Sequence, residues 1–106
     1  MGLYSPIQDA TRNEVITIAT SSTKVSDSRN SDNERTVITC RNISSNSSDI
    51  ITINLGNNPA VSNNGIVLRQ YESFTDANDG GYKCWQGSIT AISVTGTASN
   101  LAIFER

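Results

Sequence analysis

The stretch DIITINLG, residues 49–56, alternates with a period of two: Ile51, Ile53 and Leu55 fall on one side of an extended chain, Ile50, Thr52 and Asn54 on the other. A helix gathers residues three and four apart onto one face, so this spacing belongs to a strand with one buried side. EVITIAT, residues 14–20, repeats it, with Ile16 and Ile18 opposite Val15 and Thr17. Ser, Thr and Asn make up about a third of the 106 residues, far above an average chain. These residues draw backbone hydrogen bonds away from helices, and Thr is β-branched, so long helices are not expected.

Further strands are expected at RTVITCRNI (35–43), IVLRQ (66–70), YESFT (71–75), SITAISV (88–94) and LAIFE (101–105). Polar runs separate them. Residues 21–34 read as one long surface loop, SSNSSD (44–49) as a hairpin connection, and DANDGG (76–81) as a glycine-ended turn. IVLRQ and YESFT abut, which requires a tight corner or bulge between them. The first three confident strands, joined by polar loops, suit an antiparallel meander or part of a Greek key. Frequent turns between short strands predict an all-β domain, an antiparallel β-sandwich or jelly roll of about seven or eight strands. Residues 1–13 have no apolar period and contain Pro6, so they are expected to form an extended arm ahead of a single β-sandwich domain at 14–106.

Composition narrows the chemistry. The chain has no histidine, which removes Ser-His-Asp and Cys-His catalysis and the commonest transition-metal ligand. What remains is a carboxylate pair drawn from Glu72, Asp76 and Asp79, acids beside a glycine turn that read more simply as solvated loop residues. An enzyme is not expected. Asp76, Asn78 and Asp79 also offer hard oxygen ligands for calcium, but glycine comes fifth in this loop and the closing glutamate is missing, so no metal or cofactor is expected.

Eight basic residues against ten acidic ones give a net charge of −2, and the basic residues are scattered along the chain, which argues against nucleic acid. The N-terminus shows no secretory pattern and no apolar run is long enough for a membrane span, so a soluble protein made in the cytoplasm, with Cys40 and Cys84 as free thiols, is expected. Asn42-Ile43-Ser44 and Asn46-Ser47-Ser48 match the glycosylation pattern by chance in a chain so rich in Asn and Ser.

The densest chemical stretch is GGYKCWQGSITAIS, residues 80–93, which holds the only tryptophan. Trp85 reads as a filler of the core or of a subunit contact, with Gly87 letting the backbone bend beside the ring. From Arg35 to Arg106 the order ITINLG, GIVL, YESFT, CWQGSITAIS and LAIFER resembles small virion proteins of tailed bacteriophages, the head-decoration or cement proteins and head-fibre tips. RQYES stands where that pattern has a proline-glycine corner. The resemblance implies a trimeric β-sandwich in the virion that binds and stabilises the major capsid protein without catalysis. Leu3, Tyr4 and Ile7 in the arm, then Tyr82 and Trp85, are the expected contact residues. The alternative is a host-glycan module at a fibre tip, with Trp85, Tyr82 and Tyr71 stacking on sugar.

Overall fold

A computed structural model describes residues 12–106. Those residues form eight strands and no helix: β1 (Arg12–Ile18), β2 (Thr23–Ser26), β3 (Val37–Asn42), β4 (Ile51–Leu55), β5 (Ile66–Leu68), β6 (Ser73–Ala77), β7 (Ile89–Ser93) and β8 (Ser99–Glu105). They build two four-stranded sheets, ordered β1-β8-β3-β6 and β2-β7-β4-β5, and every ladder is antiparallel.

The pairing has one logic. First strand meets last, second meets seventh, third meets sixth and fourth meets fifth, as in one long hairpin. Rolling that hairpin up lets β8 also pair with β3, and β7 with β4, which divides it into two sheets. This is a jelly roll, and the expected all-β sandwich of seven or eight strands is borne out.

Three local expectations are corrected. β2 lies inside the segment read as a loop, because one buried apolar residue, Val25, and a ladder to β7 suffice for a four-residue strand. A register shift between Lys24 and Ser26 marks a bulge, and Val25 and Ser26 are consecutive residues that are both buried. β1 begins at Arg12, so Arg12 and Asn13, assigned to the arm, pair with Glu105 and Phe104. The meander does not form. Residues 44–49 join strands of different sheets, since turn chemistry alone does not distinguish a hairpin from an arch across the sandwich. The corner between β5 and β6 is present, closed by a Glu72 N–H to Arg69 C=O bond of 3.0 Å with Tyr71 at φ 64°.

The core follows the period of two. Ile18, Ile38, Cys40, Leu101 and Ile103 from one sheet face Val25, Ile51, Ile53, Leu68, Ile89 and Ala91 from the other. Burying a single such aliphatic side chain contributes about 1.5–3 kcal/mol. At one edge the wall closes by backbone contact: a Cβ on Gly65 would lie 2.5 Å from the Ile53 carbonyl oxygen.

Polar side chains are also buried. Asn42 is fully enclosed and donates its amide to the Asp49 and Leu68 carbonyls at 2.9 and 3.0 Å, linking the end of β3 to both β4 and β5. Its burial withdraws the first glycosylation match from modification in the folded protein.

Candidate functional site

Glu105 ends the inward row Leu101, Ile103, Glu105 on β8 and is fully buried. An isolated buried carboxylate is unsustainable, so this position demands cations and hydrogen bonds. Arg35, also fully buried, donates through Nε to Glu105 Oε2. Its Nη1 donates to the carbonyls of Trp85 and Gly87 at 2.9 and 3.0 Å, and its Nη2 to Ser26 Oγ and the Asp27 carbonyl, both at 2.8 Å. All five guanidinium donors are therefore engaged.

Two more arginines reach the same carboxylate. Arg12 Nη1 lies 3.0 Å and Arg29 Nη2 3.3 Å from Glu105 Oε1, while Ser26 Oγ donates to Oε2 at 2.9 Å. Burial by itself would raise the Glu105 pKa, but the hydrogen bonds from Arg35, Arg12 and Ser26 outweigh it and hold the carboxyl below its ordinary value. Arg12 also bonds Glu14 at 2.7 Å, and this contact raises the guanidinium pKa and lowers that of Glu14.

The tryptophan stretch is the cradle of this cluster. Gln86 brackets the Arg35 backbone, accepting its N–H at 2.7 Å and donating to its carbonyl at 2.8 Å, a side chain completing what a strand neighbour would supply. Trp85 packs half-buried against the core, and its indole N–H donates to the Ser88 carbonyl at 3.0 Å. Gly87 is needed for close approach: a Cβ there would sit 2.3 Å from Trp85 Cζ2. Asp76 staples the preceding loop, accepting from Tyr82 Oη at 2.7 Å and from the Trp85 N–H at 2.8 Å, and Asn78 accepts the Cys84 N–H at 2.9 Å. Of the three residues considered for calcium, Asp76 and Asn78 thus turn their oxygens to the loop itself. Among the described residues, no group of three or more His, Cys, Asp or Glu side chains could hold a metal ion.

Tyr82 stands 55% exposed, with its hydroxyl fixed by Asp76, while Trp85 has its N–H taken and one ring face against Gly87. Tyr71, equally exposed, lies at the opposite end of β6, bonded through its N–H to the Asn42 carbonyl and within 5.7 Å of the Arg41 guanidinium. The structure does not bring the three aromatics onto one platform. Leu3, Tyr4 and Ile7 lie outside the described residues. The Glu72 carboxylate accepts the Arg69 N–H at 2.8 Å and that of Asp76 the Tyr82 hydroxyl and the Trp85 N–H, so each is engaged in its own turn or loop. Both thiols are free and buried, and burial pushes the Cys40 pKa up to about 12.

Sequence reasoning missed Arg12, Arg29, Arg35 and Glu105 as a group. Their spacing looks scattered because the roll brings residue 12 beside residue 105. One signal was present: the alternation of LAIFE places Glu105 on the apolar side. No family model, no curated protein and no solved structure matches the chain.

Proposed function

We propose that this chain is a structural protein of a tailed-phage virion, a decoration or cement protein that binds the major capsid protein as a trimer and stabilises the head shell. The observation that carries the reading is the outer face of the sheet β1-β8-β3-β6. Strand alternation puts Val15, Val37, Thr39, Ala102 and Phe104 on that face, and Val15 is 58% exposed. Of its three outward positions on each strand, the single charge is Arg41. A weakly charged, partly apolar sheet face has the composition of an interface core. Jelly rolls recur in capsid proteins, which adds support by analogy of fold alone.

The test is to add purified chain to capsids assembled without it. Binding that saturates, with shells surviving a higher temperature, supports the reading; absence of binding, or binding with unchanged heat resistance, refutes it. A host-glycan module is the second reading, favoured by the exposed and immobilised ring of Tyr82. Glycan-array binding that disappears in Tyr82→Ala while capsid attachment persists would favour it over the first.

A further inference from the structure

Beside the buried ion pair the surface opens into a concavity of about 360 Å³, lined among others by Arg12, Lys24, Asp27, Arg29 and Glu105. We propose that this concavity is a binding site for a phosphate or sulfate oxyanion, held by Arg12 and Arg29 with Lys24 as a third cation.

Glu105 is one carboxylate shared by three guanidinium groups. Around it four cations, Arg12, Lys24, Arg29 and Arg35, meet three carboxylates, Glu14, Asp27 and Glu105, which leaves one positive charge in excess. Arg35 has every donor engaged inside the protein, whereas Arg12 Nη2 and Arg29 Nε have no hydrogen-bond partner among the described residues. The two guanidinium groups are also preorganised. Arg12 Nη1 is tied to the Val25 carbonyl at 2.8 Å, and Arg29 Nη1 to the Asn33 carbonyl at 3.1 Å. The Arg29 backbone N–H is pinned to the Gln86 carbonyl at 2.7 Å. Guanidinium groups fixed in this way lose little entropy on binding, and their planar donors suit the edges of a tetrahedral oxyanion. Lys24, paired with Asp27 at 2.8 Å, adds a point charge; the Asp27 side chain is 79% exposed, so water and salt screen the carboxylate that would compete with the ligand.

The positive charge is local. The whole chain carries −2, so no diffuse cationic surface recruits the ligand. The volume exceeds that of a bare ion and leaves room for the small group that bears it.

Titration calorimetry of the full chain at low salt tests this with inorganic phosphate, inorganic sulfate, glucose 6-phosphate and glucose. Saturable binding of at least one of the three anionic probes is expected, weakening as sodium chloride is raised, with none for glucose. A sugar phosphate bound more tightly than inorganic phosphate identifies an esterified group as the ligand; equal affinities identify the free ion. Arg29→Gln is expected to weaken binding about tenfold, the value of a charged hydrogen bond. Asp27→Asn, which removes a competing charge, is expected to tighten it about threefold, a gain that damage to the fold cannot imitate. Absence of saturable binding by all three anions, or equal binding by wild type and Arg29→Gln, overturns the proposal and leaves the assembly reading untouched.

Discussion

Gly87 illustrates what one residue decides. The sequence reading gave it a role in bending the backbone, but its φ lies outside the left-handed region and its necessity is steric: the Trp85 ring occupies the space of its missing side chain. Gly87→Ala should cost about 1–3 kcal/mol by overpacking, measured by denaturant unfolding. Trp85→Leu in the same chain should recover part of that loss, because the obstructing ring is gone. The same comparison explains why Trp85 was legible and Arg35 was not. A lone tryptophan is conspicuous by type, whereas an arginine at the head of a strand is ordinary until the carbonyls of Trp85 and Gly87 are known to face it.

Among the elements, β8 carries the most. It pairs on both sides, with β1 and β3, and its inward row of Leu101 and Ile103 ends in Glu105. Glu105→Gln should destabilise the domain by about 3–5 kcal/mol, since it leaves buried guanidinium groups without their counter-charge. The double variant Arg35→Met/Glu105→Leu should lose much less than the two single changes together, a non-additivity that a thermodynamic cycle reads directly. Acid has the same effect as Glu105→Gln. The folded Glu105 carboxyl is held below its unfolded value of about 4.3, so its contribution is complete above that pH and is lost as pH falls through the folded value. Melting temperature should therefore drop on acidification below about pH 4, and more steeply in wild type than in the double variant; parallel slopes would refute the assignment. Strands with clean alternation, β1, β4, β7 and β8, were readable from their apolar period. β2 was not, because a strand of four residues with one buried apolar side chain carries too little pattern to separate it from a Ser-rich loop.

At the scale of the molecule, fold class was legible and connectivity was not. Turn signals every few residues announced a β-sandwich, but the ladders that make it a jelly roll join Arg12 to Glu105 and Ile38 to Asp76, and nothing local specifies such distant partners. The ionic cluster was hidden for the same reason, its members being neighbours only after the roll has closed. The roll also creates the feature on which function is argued, the outer face where β1, β8 and β3 align Val15, Ala102 and Arg41 across one line of register and Asn13, Phe104 and Thr39 across the next. Capsid co-sedimentation of wild type and the Val15→Asp/Phe104→Glu variant tests that claim most directly, with circular dichroism showing that both chains remain folded. Wild type should saturate shells that lack the protein while the variant stays in the supernatant; a variant that pellets as fully as wild type, or a wild type that does not pellet, would contradict it.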